Sequence, residues 1–300
     1  MSSETGFPEQ MSGIGRLREP FRTAFASEIG RGEPIRALIY SPPFSTASFK
    51  AVASVTAITA SRWVIAWEQD RQIWMEAAEF SDTLFIELTI ILLYGQLKID
   101  FLKEGTPMSV AVYFNTVRDG YYQTALEWLL AGIATPSRTS TQAGDGRQQV
   151  TGDWPLKFRN VALRYAPAGR QLISGVYWDA LYRGANRELC PASALVRTEK
   201  ELLLITEEKL GGRFHAHRRG QKFGEIISYF PCAHLAGYRM LDRSRMDTLR
   251  LLVHAGYGGE TVDIAFPKEK RKRVLDLMSS MMLDSPRTAD ADGYTHSQDG

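Results

Sequence analysis

Phe114 to Ile133 reads FNTVRDGYYQTALEWLLAGI, and Phe266 to Leu283 reads FPKEKRKRVLDLMSSMML. With Phe114 set on Phe266, an offset of 152 residues, Tyr122, Ala125, Leu126, Leu129 and Leu130 fall on Val274, Leu277, Met278, Met281 and Met282. Both sets follow the i, i+3, i+4, i+7, i+8 spacing of one helix face. The spacing predicts two amphipathic helices of about four turns, each with an apolar stripe that needs a core to cover. Pro267 suits the start of the second, and the acidic Asp119 suits the first turn of the other, where it favours the helix dipole.

Working back from these helices, two more stretches repeat. PFRTAFASEIGRGEPIRALIYS sets Phe21, Arg22, Gly32 and Tyr40 on Phe158, Arg159, Gly169 and Tyr177 at an offset of 137. Ile35 then meets Leu172, and Ile39 meets Val176. ASVTAITASRWVIAWE sets Ala53, Ser54, Thr59 and Glu68 on Ala192, Ser193, Thr198 and Glu207 at an offset of 139. In both copies a polar triplet, Ala60-Ser61-Arg62 or Glu199-Lys200-Glu201, precedes an apolar run, WVIA or LLLI, which reads as a β-hairpin. Further strands are expected over 96–101 and 108–114, and over 249–254 and 261–266, the latter pair joined by a turn at GYGGE, Gly256 to Glu260.

The offset grows from 137 to 152, so the second copy holds about fifteen extra residues, thirteen of them between Glu207 and Phe266. The insertion is placed around KLGGRFHAHRRGQK, 209–222, whose glycines and charges read as a long hairpin tip. The expected organisation is a disordered N-terminus over 1–16, a first unit over 17–134, a polar Gly/Ser/Thr-rich linker over 135–154, a second unit over 155–284 and a disordered tail over 285–300.

Three hundred residues, 44% apolar and 23% charged, suit two soluble domains that each bury a core. The start, MSSETGFPEQMSG, has neither the basic nor the apolar region of a secretory signal, so a cytoplasmic protein is expected. LFIELTIILL, 84–93, is about half a bilayer span and holds Glu87, so it reads as core. Cys190 and Cys232 have no metal or disulfide spacing. Residues 1–134 carry 11 Lys/Arg and 15 Asp/Glu, net −4, while 135–300 carry 25 and 19, net +6, so the halves are expected to face different partners.

Several strands followed by one amphipathic helix, with AxxxTxxxLLLI at Ala194 to Ile205, its echo at Val55 to Ala66, and Gly32-Glu33 ahead of the first strand, resembles the bacterial pleckstrin-homology-like domains. The resemblance covers roughly 17–133 and 156–283. It implies an α+β, mainly β fold of two bent β-barrels, each closed by a C-terminal amphipathic helix, and implies no particular ligand.

Between Lys209 and Arg273 stand 14 Lys/Arg against 6 Asp/Glu, in two clusters. The first is Lys209, Arg213, Arg218, Arg219 and Lys222; the second, KEKRKR, holds Lys268, Lys270, Arg271, Lys272 and Arg273. Cations at a helix N-terminus oppose its dipole, so an anionic partner is expected to meet them; the plain alternative is a solvated face balancing the acidic first unit. A protein partner is favoured. An anionic membrane surface is the alternative, to which five hairpin cations at about 1 kcal/mol each contribute roughly 5 kcal/mol. The inositol-lipid pocket that the resemblance implies needs cations in the first inter-strand loop, where DALYRGANRELC from Asp179 supplies only Arg183 and Arg187. His215 and His217 lack a third ligand, and no metal or other cofactor is expected. No GxSxG, phosphate-binding glycine loop or HExxH is present, so the expectation is a protein without enzymatic activity or small-molecule substrate. Trp63, Trp67 and Trp74 sit in the acidic half on strand-like segments and are expected in the core, which disfavours nucleic acid.

Overall fold

The computed structural model describes residues 6–30, 32–45, 49–134, 150–184, 187–208, 224–253 and 260–284. It is mainly β, with several antiparallel sheets and four helices of eight residues or more among these residues. The first unit holds β1 (Glu9–Gln10), α1 (Phe21–Glu28), β2 (Ile35–Ser41), β3 (Phe44–Ser45), β4 (Lys50–Ala51), β5 (Ser54–Thr59), β6 (Arg62–Gln69), β7 (Gln72–Glu79), β8 (Thr83–Ile91), β9 (Tyr94–Lys103), β10 (Thr106–Asn115) and α2 (Gly120–Ile133). The second repeats that order from α3 (Leu156–Tyr165): β11 (Leu172–Trp178), β12 (Leu181–Arg183), β13 (Arg187–Cys190), β14 (Ser193–Thr198), β15 (Glu201–Glu208), β16 (Gly224–Pro231), β17 (Leu235–Asp242), β18 (Met246–Val253), β19 (Glu260–Pro267) and α4 (Arg271–Asp284).

The repeat is in register element by element. β2 lies on β11 at an offset of 137, β5 and β6 on β14 and β15 at 139, and β7 on β16 at 152. All thirteen inserted residues therefore fall between β15 and β16, where 209–223 replace the two-residue turn Asp70-Arg71. The expected hairpin tip itself lies outside the described residues, as does most of GYGGE.

Each predicted C-terminal helix buries its stripe: Tyr122, Ala125, Leu126, Leu129 and Leu130 in α2, and Val274, Leu277, Met278 and Met281 in α4. Tyr122 stacks on Phe114 with ring centroids 3.8 Å apart. Gly95 lies beneath that stack, where a Cβ would stand 2.4 Å from the Phe114 ring.

The structure departs from the sequence reading in four respects. Each unit holds a second helix besides the predicted C-terminal one: the matched phenylalanines, Phe21 and Phe158, are among the buried residues of α1 and α3, which pack on the sheets. Residues 6–16, expected to be disordered, contribute β1, which pairs Glu9 with Tyr40, and a single 3-10 turn. Within the expected linker, Val150 and Trp154 pack against β11, with Trp154 seated over Gly175. Trp63 is buried and donates its indole N–H to Thr83 Oγ1 at 2.9 Å, whereas Trp74 is 53% exposed.

The larger finding is how the sheets connect. Among the described residues no sheet closes on itself; β8 does not pair with β7, which ends its sheet beside β6, but joins β16 of the second unit, from Ile86 opposite Tyr229 to Ile91 opposite Gly224. The result is one seven-stranded sheet in the order β10-β9-β8-β16-β15-β14-β11. Its core follows. One continuous apolar cluster runs from the interior of the first unit (Ile86, Leu88, Phe114) to the layer between α3 and the second unit's first sheet (Phe158, Ala194, Tyr229). Leu84 and Phe85 of β8 turn the other way, into the interior of the second unit, where Phe85 meets Phe230 at 5.3 Å. Burial of β8 on both faces accounts for the apolar residues of this strand, whereas Leu92 and Leu93, also expected in the core, are 62% and 58% exposed in the turn that follows.

Candidate docking surface at the start of helix α4

Pro267 ends β19 in extended backbone, a 3-10 turn takes Lys268 to Lys270, and α4 begins at Arg271. Two of the five cations predicted here are neutralised. Lys268 Nζ lies 2.5 Å from Asp242 Oδ1, and with Arg271 it holds that carboxyl below its usual range. Arg271 Nη1 reaches the buried Asp247 Oδ2 at 3.0 Å. Asp247 stands opposite Phe266 in β18, the position that Gly95 takes opposite Phe114 in the first unit. Lys270, Lys272 and Arg273 have no ion pair among the described residues, and Lys272 and Arg273 are exposed.

Strand pairing adds two cations that the linear reading missed. β18 pairs Met246 with Pro267, so the turn Arg243-Ser244-Arg245 between β17 and β18 abuts the start of α4. Both arginines are exposed. The signal was the RSR in a hairpin tip, but only the β18–β19 register shows that it lies beside KEKRKR. The corner then holds Arg243, Arg245, Lys268, Lys270, Arg271, Lys272 and Arg273 against Asp242, Asp247 and Glu269, a net charge of +4. Arg250, one strand over, is taken up by Asp263 in a two-point pair at 2.7 and 2.9 Å.

The corresponding corner of the first unit is unlike it. Asp119 stands at the N-cap position of α2, with no capping hydrogen bond from its side chain, and accepts from Arg164 Nη2 of α3 at 2.7 Å, an acid where an acid lowers the energy of the helix end. In α4 three cations fill the first turn with no acid among them, at about 0.3–1 kcal/mol each.

The other candidates resolve as follows. Lys209, Arg213, Arg218, Arg219, Lys222, His215 and His217 lie outside the described residues. Arg183 and Arg187 face each other as an exposed register pair between β12 and β13. The matching loop of the first unit is filled by rings: Phe49 packs on Tyr94 at 5.0 Å and on Tyr113 at 4.8 Å. Burial pushes the Cys232 thiol up to about 12, well away from a reactive thiolate. Among the described residues no three His, Cys, Asp or Glu side chains gather as metal ligands, and no helix is long and apolar enough to cross a membrane. No family model matches the sequence, and no curated protein matches it.

Proposed function

We propose that this chain is a non-enzymatic binding protein of two pleckstrin-homology-like units, each of bent antiparallel sheet covered by its C-terminal helix, that docks an acidic protein surface through the corner at α4. The observation that carries the reading is the set of unneutralised cations, Lys270, Lys272 and Arg273 with Arg243 and Arg245 beside them, at the end of a helix where cations are least favourable. A partner's carboxylates would offset that cost and supply a salt-sensitive attraction. Two of the buried titratable groups have structural partners, Glu201 bonding Thr198 in a turn and Tyr122 bonding Ser41 within a core.

The test uses the full chain, because the shared sheet ties the units together. Wild type and the triple variant Lys270→Glu, Lys272→Glu, Arg273→Glu are titrated with polyglutamate and, separately, with phosphatidylserine vesicles across a salt series. Binding of polyglutamate that falls about tenfold or more in the variant supports the reading. Retention on vesicles alone, lost in the variant, transfers the corner to a membrane surface. Equal behaviour of both proteins sinks the proposal.

A further inference from the structure

The joint between β8 and β16 leaves two strands over. By the 152-residue offset, β7 is the counterpart of β16 and β17 the counterpart of β8, yet among the described residues β7 pairs only with β6 and β17 only with β18. An unpaired edge is a template for another strand, and here the molecule already contains the pairing that its two edges are shaped for.

Three observations make the edges complementary. The first is shape: β8 and β17 carry the same register shift in their ladders, between Thr83 and Phe85 and between Leu235 and Gly237, and each follows a 3-10 turn. The second is the apolar layer. The internal joint merges the interior of the first unit with the layer under α3. At the free edges, Met75 of β7 packs on the layer under α1 and Met240 of β17 packs on the interior of the second unit. These are the same two kinds of layer, each ending at a half-exposed strand. The third is charge. Carrying the joint's register across by 152 residues sets Met75 opposite Met240, the exposed Trp74 opposite Leu241, and Glu76 opposite Arg239. That last pair stands where Glu87 accepts from Ser228 at 3.4 Å in the internal joint.

We infer that β17 of one molecule pairs antiparallel with β7 of a second molecule of this chain, from Ile73 opposite Asp242 to Ala77 opposite Tyr238. The contact is heterologous, so it propagates head to tail. It is one pair shorter than its internal model. Gly224 begins the internal joint with a Cβ position 2.6 Å from the Ile90 carbonyl oxygen; Gln72 takes that place in β7 and, bearing a side chain, holds the end open. Glu76, which meets Lys103 within its own chain at 2.7 Å, is reached by Arg239 from the open side of the strand. The acidic first half and basic second half of the chain favour the same head-to-tail order. None of this depends on the corner at α4.

The experiment is sedimentation velocity of the full chain over a micromolar concentration series, with Arg239→Glu, Glu76→Arg and an equal mixture of the two, each checked for fold by circular dichroism. Wild type is expected to grow in mass with concentration. Either variant alone sets like charges opposite and weakens association about tenfold. The mixture restores it, because each molecule then offers its neighbour an opposite charge. A wild type that stays monomeric overturns the inference, as does association that both variants leave intact. Growth abolished only by reversing Lys270, Lys272 and Arg273 also overturns it, by moving the contact to the corner at α4.

Discussion

The turns before β6 and before β15 close in the same way with opposite charges. In the first unit Thr59 Oγ1 accepts from the Arg62 N–H at 3.2 Å, and Arg62 spans Glu28 at 2.8 Å and Glu33 at 3.2 Å. In the second, Thr198 Oγ1 accepts from the Glu201 N–H at 2.9 Å, and Glu201 meets Arg170 at 3.3 Å. Arg62 and Glu201 are equivalent positions, as are Glu33 and Arg170, so the ion pair is retained with its ends exchanged. The environments differ as well: the Arg62 side chain is 23% exposed at a rim, while that of Glu201 is 1% exposed. The repeat preserves the interaction and not the residues, and the buried version has more to lose.

The largest effect should come from breaking the buried pair. Glu201→Arg sets a buried cation against Arg170 and is expected to cost about 4 kcal/mol, while Arg62→Glu at the rim costs about 1 kcal/mol. Chemical denaturation measures both. Exchanging the second unit's pair, Arg170→Glu with Glu201→Arg, reproduces the order of the first unit and should recover at least half of the loss; no recovery would mean that the two turns are not equivalent.

Next in size is the contrast between the shared sheet and its free counterpart. Leu88→Ala, in the internal joint, should cost about 3 kcal/mol, and Met240→Ala, its half-exposed equivalent, about 1 kcal/mol in dilute monomer. Equal costs would mean that β17 is as well covered as β8.

The helix ends give smaller shifts of opposite sign. Asp119→Lys puts a cation at the start of α2 and removes the Arg164 pair, lowering stability by about 1 kcal/mol, whereas Lys272→Glu relieves α4 and raises it by about 0.5 kcal/mol. Thermal melts at low ionic strength resolve both.

The smallest effects are in pH dependence. Arg62 donates to Glu33 and holds its carboxyl below 4.5, so that pair adds stability above this pH and is lost as pH falls through the folded value. Burial holds Glu201 above 4.5, so the fold prefers it protonated and loses stability as pH rises from 4.5 through the folded value. From pH 4 to pH 7, Glu33→Gln should therefore lose ground against wild type and Glu201→Gln should gain, each by about 1 kcal/mol or less.

Much of this was legible in the sequence because register survives where identity does not. Three anchors were enough to align the strands on which they fall and the last two strands of each unit, and to put the inserted residues around 209–222; β7, β8 and their counterparts lie between anchors and were not read as strands. The exchanged pair was hidden in columns that do not match, 33 against 170 and 62 against 201, since one residue at a time shows no charge compensation. α1 and α3 were hidden by their shortness, with only Phe21 and Phe25 marking the apolar face of the first. The shared sheet left a sign in LFIELTIILL, which lacks the polar alternation of its counterpart LAGYRMLD (Leu235–Asp242), but a strand covered on both faces does not name what covers it. At α4 the charges were plain in the sequence. Which of them acids already held was not, because Asp242 and Asp247 come from other strands.

The distance along the chain between the two halves of the joint also matters during synthesis. Glu87 and Ser228 are 141 residues apart, so at 5–20 residues per second β8 leaves the ribosome roughly 7–30 s before β16 exists to cover it. For that interval the first unit carries an apolar strand with an open edge, which is a template for a neighbour's strand.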